Sequence, residues 1–316
     1  MTVANRRIFV AGHRGMVGAA LLRRLRDEPV SVVTASRTEV DLTDRRAVDD
    51  FFRAANIDAV IFAAAKVGGI VANDTYPVQF LTDNINMATN CIASAYDHGV
   101  SRFLFLGSTC VYPRDCPQPI REESLLSGPL EMTNEAYAIA KIAGVKLCQY
   151  YRRQYGANYT SAMPTNLYGP GDNYHPEHSH VLPGLIGRFY QAARRGDRSV
   201  TIWGTGKPRR EFLHVDDLAD GLVHLLDMNG APDWVNVGTG QDISILEAAK
   251  MVADVVGFDG EIVTDPSRPD GTPVKCTDVS RLSATGWTAK IGLADGLRST
   301  FMAYLKESAQ GELRAV

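Results

Sequence analysis

Two short stretches of this 316-residue chain combine residue types that can move a hydride and a proton. Tyr137 and Lys141 stand four apart in Tyr137-Ala138-Ile139-Ala140-Lys141, so on a helix both side chains fall on one face. An ammonium beside a phenol favours the phenolate, and the spacing therefore predicts a Tyr137 with a lowered pKa, usable as general acid and base. Tyr-x-x-x-Lys alone describes many plain helix faces. Here it follows Gly107-Ser108-Thr109, at the end of an apolar run from Arg102, and ligand sites of doubly wound sheets collect at such strand ends. Ser108 can then hydrogen-bond the oxygen that Tyr137 protonates.

The second stretch is Gly12-His13-Arg14-Gly15-Met16-Val17-Gly18, directly after the apolar run Ile8-Phe9-Val10-Ala11. Glycines at this spacing allow a tight turn, close approach of the backbone to a pyrophosphate, and close helix–strand packing. The helix that follows points free N–H groups and a positive dipole end at the phosphates. An acid at the end of the second strand would bond a ribose 2′-hydroxyl, but that strand is expected to end Thr34-Ala35-Ser36-Arg37. Arg14 and Arg37 suit a 2′-phosphate instead, so the expected cofactor is NADP(H).

Positioning these groups requires alternating strands and helices. Apolar runs predict strands over 6–11, 31–36, 58–65, 102–107 and 159–164; amphipathic stretches predict helices over 16–28, 43–56, 84–98 and 134–155. This alternation implies an α/β fold, a Rossmann-type doubly wound parallel sheet, with a smaller α/β C-terminal substrate domain. The expected division is 1–166 for the dinucleotide-binding domain, with part of 205–240 returning to it, and 167–204 plus 241–316 for the substrate domain. Residues 169–183, rich in Gly, Pro, His and Asn, read as a functional loop. Further on, 199–203 and 234–237 read as strands, and 214–227, 244–256 and 294–306 as helices.

Composition is that of a globular protein, 45% hydrophobic and 22% charged with net charge -3, and it points to neither a nucleic-acid nor an anionic-membrane surface. The opening residues pass straight into a strand pattern, leaving no room for a signal peptide. Five scattered cysteines, Cys91, Cys110, Cys116, Cys148 and Cys276, fit a reduced cytoplasmic protein. His175, His178 and His180 lack the accompanying cysteines or paired carboxylates of a metal site, so none is expected.

The glycine loop, Ser108, Tyr137 and Lys141 together resemble the extended short-chain dehydrogenase/reductase superfamily, whose members mostly process nucleotide sugars. Ala64-Ala-Lys-Val-Gly-Gly-Ile70, Phe105-Leu-Gly-Ser-Thr-Cys-Val-Tyr-Pro113, Pro164-Thr-Asn-Leu-Tyr-Gly-Pro170 and Arg210-Glu-Phe-Leu-His-Val-Asp216 narrow the likeness to the GDP-4-keto-6-deoxy-D-mannose epimerase-reductases that form GDP-L-fucose. It spans about residues 6–290. A sugar 4,6-dehydratase of this scaffold would carry Thr-Asp-Glu where this chain has Ser108-Thr109-Cys110. The resemblance implies 3,5-epimerisation with Cys110 as base and His180 as acid, then hydride delivery from NADPH to C4 with Tyr137 protonating the oxygen. It also implies that Leu106, Gly107, Lys141, Pro164, Asn166, Leu167 and His180 line the cofactor. Arg188, Trp203, Arg210, Asp270 and Lys275 would hold a GDP-sugar. Arginine forks suit phosphate, and the flat Trp203 indole suits a base or a sugar ring. A homodimer through helices 84–98 and 134–155 is implied as well.

Two other functions fit parts of the pattern. A simple nucleotide-sugar 4-epimerase or 4-reductase needs neither Cys110 nor His180. A non-enzymatic dinucleotide sensor has no use for Tyr137 as a proton donor.

Overall fold

Apolar runs without alternation at Ile8–Ala11, Ala59–Phe62 and Phe103–Leu106 suit strands covered on both faces, and the computed structural model places them so. It describes residues 3–176, 179–268 and 270–315, apart from the side chains of Ile70 and Val71. In chain order the elements are β1 (Arg7–Ala11), α1 (Met16–Leu25), β2 (Ser31–Val33), α2 (Arg45–Ala55), β3 (Ala59–Phe62), α3 (Ile70–Thr75), α4 (Pro77–Asp97), β4 (Arg102–Leu106), α5 (Glu135–Tyr155), β5 (Asn158–Pro164), β6 (Asn166–Tyr168) and α6 (Val181–Arg195). They continue with β7 (Ser199–Trp203), β8 (Arg209–His214), α7 (Val215–Asp227), β9 (Trp234–Val237), β10 (Asp242–Ser244), α8 (Ile245–Val256), β11 (Glu261–Asp265), β12 (Val274–Lys275), α9 (Ser280–Ser283) and α10 (Leu293–Gln310).

Six strands form one parallel sheet in the order β2-β1-β3-β4-β5-β9. Strand order reverses between β1 and β3, the switch point where doubly wound sheets bind ligands. One face packs on α1 and α7, through Leu21, Leu25, Leu218 and Leu222. The other packs on α2, α4 and α5, through Phe52, Ala88, Ile92 and Val145. Leu282 and Trp287, far along the chain, also pack into the first of these cores. A separate core joins α6, α8 and α10, with Leu185, Phe189, Val252 and Leu297 buried together.

Several boundaries differ from the sequence expectations. Strand β2 stops at Val33, because Ser36 turns back and gives its N–H and hydroxyl to Glu39. Helix α4 begins at Pro77 rather than 84, since proline is preset for the first helical position. Helix α6 begins at Val181, inside the expected loop; Pro183 falls in its first turn, where no intrahelical N–H is needed. The short strands β6, β8, β10, β11 and β12 carry no clear alternation and were not expected.

The short strands β8 and β12 are tied to the main sheet through one buried carboxylate. Glu211 in β8, fully buried, accepts from Thr239 N (2.6 Å), Gly240 N (2.7 Å), Thr277 N (2.8 Å) and Thr277 Oγ1 (2.7 Å). Nearby, Asn236 of β9 takes the Tyr112 hydroxyl (2.6 Å) and donates to the Ile120 carbonyl (2.9 Å).

A buried donor left without its acceptor costs about 1–3 kcal/mol. Glu211→Ala is therefore expected to lose at least ~3 kcal/mol of stability. Calorimetry should show a clearly lowered apparent Tm; an unchanged Tm would remove Glu211 from the role of tie.

Candidate active site

The glycine turn after β1 is shaped by close backbone approach. Gly12 has φ +83°, and a Cβ there would stand 2.8 Å from the backbone of Ala64, just beyond β3. A Cβ at Gly18 would come within 2.2 Å of the Gly12 carbonyl oxygen, so the first turn of α1 lies directly on the loop. Gly15 caps α1 without a side-chain hydrogen bond, and no acid sits in its first turn, leaving a positive helix end for an anion. The buried His13 Nδ1 has no hydrogen-bond partner among the described residues.

Past β2 the first acid, Glu39, is already engaged. Glu39 accepts from Ser36 N (2.7 Å) and Ser36 Oγ (2.6 Å), which holds its carboxyl below the usual range, with Arg14 and His13 contributing. Arg14 and Arg37 are exposed, and neither makes a hydrogen bond or salt bridge among the described residues. A glycine cradle, a bare helix end, an orphaned imidazole nitrogen and two exposed guanidinium forks together fit a dinucleotide with a 2′-phosphate.

At the C-terminal end of β4 the chain makes a single 3-10 turn, Thr109–Val111, so Cys110 lies just past the strand. Ser108 Oγ accepts from the Cys110 amide at 3.2 Å. Lys275, on β12, brings Nζ to 4.0 Å from Cys110 Sγ. Tyr137 and Lys141 share a face of α5, with Lys141 Nζ 5.7 Å from the Tyr137 ring. Lys141 is 3% exposed and donates to the Leu106 carbonyl at 2.7 Å. Burial lowers its pKa to about 7. The lowered phenol pKa expected from spacing is not what the structure has: burial, with Cys110 beside it, pushes Tyr137 up. A desolvated ammonium is itself easily discharged, which weakens its pull on the phenol. The phenol thus keeps its proton at neutral pH.

His180 is the N-cap residue of α6, and its side chain makes no capping bond. The residue is exposed, yet the protein packed around it lowers its pKa by desolvation. His175 is half-buried, and His178 lies outside the described residues. Pro164 ends β5, Leu167 packs against the core of the large sheet, and Asn166 Nδ2 donates to the Glu211 carbonyl at 2.8 Å.

The proposed substrate groups fall along one line of chain. Lys275 pairs with Arg210 in register across β12 and β8. Arg210 Nη1 donates to the Thr272 carbonyl at 2.6 Å. Asp270 accepts from Thr205 N (2.8 Å) and Thr205 Oγ1 (2.7 Å). Trp203, 60% exposed, has the Arg188 guanidinium 5.9 Å and the Arg268 guanidinium 5.3 Å from its ring centroid. Arg188 Nη1 also donates to the Thr201 carbonyl at 3.2 Å. Sequence reasoning missed Glu211 and Arg268. Glu211 left a faint signal, an acid inside an otherwise apolar strand end; Arg268 left none.

Residues 8–238 match the NAD dependent epimerase/dehydratase family. The chain is 53% identical over 307 residues to GDP-L-fucose synthase 1 of Arabidopsis thaliana, covering 97% of this chain and 95% of that protein. It is 50% identical over 314 residues to the GDP-L-fucose synthase of Escherichia coli (strain K12), covering 96% and 98%. The crystal structure of a GDP-L-fucose synthetase from Naegleria fowleri bound to NADP superposes with TM-score 0.90 at 29% identity, covering 99% of this chain and 98% of that one.

The Lys141 burial has a thermodynamic signature. Its folded pKa, about 7, lies below the unfolded value near 10.4. Between these values the unfolded state binds the extra proton, so this term makes stability rise with pH across that window. Lys141→Met lacks the term. Its stability relative to wild type should be greatest near pH 7 and should decline as pH rises toward 10. Denaturant titrations at several pH values read the difference, and a constant difference would refute the assigned cause.

Proposed function

Because this chain belongs to the NAD dependent epimerase/dehydratase family, and within it to the GDP-L-fucose synthases, we propose that it converts GDP-4-keto-6-deoxy-D-mannose to GDP-L-fucose. The reaction is 3,5-epimerisation followed by NADPH-dependent reduction at C4. The observation that carries this reading is the convergence of Ser108, Cys110, Tyr137, Lys141 and Lys275 at the end of β4.

The 4-keto group acidifies the hydrogens at C3 and C5. Cys110 removes each as a proton, leaving an enolate, and His180 returns a proton from the opposite face. Each return of a proton requires His180 as imidazolium, so the ring must take up a proton before each of the two steps. Ser108 holds the C4 oxygen. Tyr137, kept protonated by burial, then donates its proton to that oxygen; a high phenol pKa suits the direction of reduction. Bound NADPH supplies the hydride. Lys141 bonds the nicotinamide ribose.

Arg14 and Arg37 take the 2′-phosphate, while Arg188 and Arg210 take the diphosphate. The enzyme works as a homodimer joined through α4 and α5, whose outer faces expose Val78, Tyr96, Ile139, Tyr150 and Tyr155. Free thiols throughout suit a reducing cytoplasm.

Two measurements test these assignments. Cys110→Ser should lower deuterium incorporation at C3 and C5 from D2O by roughly 10²–10⁴-fold, while NADPH binding is retained. Full NADPH oxidation at 340 nm without exchange would favour a plain 4-reductase. Replacing Arg14 and Arg37 together with alanine should raise KM for NADPH at least about tenfold, as expected for two lost charge-assisted contacts, with little effect on KM for NADH. Equal losses for both cofactors would argue against 2′-phosphate binding.

A further inference from the structure

The substrate groups are ordered along the chain as the parts of a nucleotide sugar are ordered along the molecule. Lys275 stands at Cys110, where the keto sugar reacts. Arg210 is tied at Thr272, Asp270 at Thr205, and Arg268 at Trp203. From 275 back to 268 the chain can span at most roughly 25 Å, enough for sugar, diphosphate, ribose and base in sequence. The base therefore falls at the Trp203 end.

Arg268 differs from the other two arginines there. Arg188 and Arg210 each spend part of the fork on main-chain carbonyls, of Gly184 and Thr201 and of Arg209 and Thr272, which fixes them beneath an anion. The Arg268 side chain makes no hydrogen bond or salt bridge among the described residues; its guanidinium lies over the indole and its charge acts on Asp265. Its backbone, in contrast, is anchored. Arg268 N donates to the Asp265 carbonyl (3.2 Å), Gly204 N donates to the same carbonyl (2.9 Å), and Asp270 grips Thr205. A five-donor fork without a hydrogen-bond partner among the described residues is thus held over an indole that is 60% exposed. A purine stacked on the exposed part of the indole would present its edge to the fork. Guanine offers two acceptors there, O6 and N7, matched to a bidentate guanidinium, whereas adenine offers one acceptor and a donor.

Resting on the reading of the substrate as a GDP-sugar, we propose that Arg268 is the specificity-determining residue for its base, reading the O6/N7 edge of a guanine stacked on Trp203. The test measures inhibition of NADPH oxidation by GDP, IDP, ADP, UDP and pyrophosphate, for wild-type holoenzyme and for Arg268→Met. Arg268 is exposed, and thermal melting should confirm that the variant folds normally. In the wild type GDP and IDP, which share O6 and N7, should inhibit alike, and ADP at least tenfold more weakly. In Arg268→Met, GDP and IDP should weaken by roughly ten- to hundredfold, with ADP and pyrophosphate unchanged. A variant that keeps the GDP preference overturns the proposal. So does one in which pyrophosphate weakens as much as GDP, since the fork would then bind phosphate. A wild type without preference for GDP over ADP and UDP would instead overturn the GDP-sugar reading, and this proposal with it.

Discussion

A carboxylate in a solvent-free interior is costly unless every lone pair facing the protein is met. Glu211 is met by backbone and hydroxyl donors rather than by a cation: Thr239, Gly240 and Thr277 converge on it from two different segments. One segment follows β9, the last strand of the large sheet. The other follows β12, which carries Lys275. Glu211 itself sits next to Arg210 in β8, and its carbonyl takes the Asn166 amide. Three candidate substrate or cofactor residues from three strands are therefore referenced to one buried group. The placement of Lys275 against Cys110 depends on that tie, because β12 is only a two-residue strand and cannot fix its own register.

Around the reacting centre, burial acts on opposite charges in opposite directions. It favours the neutral forms of Tyr137, Lys141 and His180 alike. A phenol that keeps its proton is poised to give it away, and a neutral imidazole can take one up. The same low-dielectric environment that raises the cost of ionisation also strengthens each hydrogen bond made to a developing oxyanion. The cofactor end follows a different rule. There, exposed arginines and an uncapped helix end await an anion in water, where a charge without a partner costs little.

Much of this could be read from residue order. The glycine loop, the apolar runs of β1, β3 and β4, and the Tyr137–Lys141 spacing are local patterns, and local patterns are set by neighbours in sequence. The helices α5, α7 and α8 emerged close to their expected bounds for the same reason. The pKa of Tyr137 went the other way. Spacing supplies only the pairwise charge, while desolvation depends on how much protein closes over the pair.

The sequence by itself determined the doubly wound parallel sheet, the loop after β1 and the residue types at the end of β4. Each follows from periodicity or from the conformational freedom of glycine, which act within a few residues. Only the tertiary structure decided that Glu211 is a tie, that Lys275 reaches Cys110, and that Arg268 stands over Trp203. These contacts join segments 28 to 165 residues apart, or strands too short to show a pattern. Such contacts are chosen by the satisfaction of buried polar groups across the whole fold, a condition no local stretch of sequence can express.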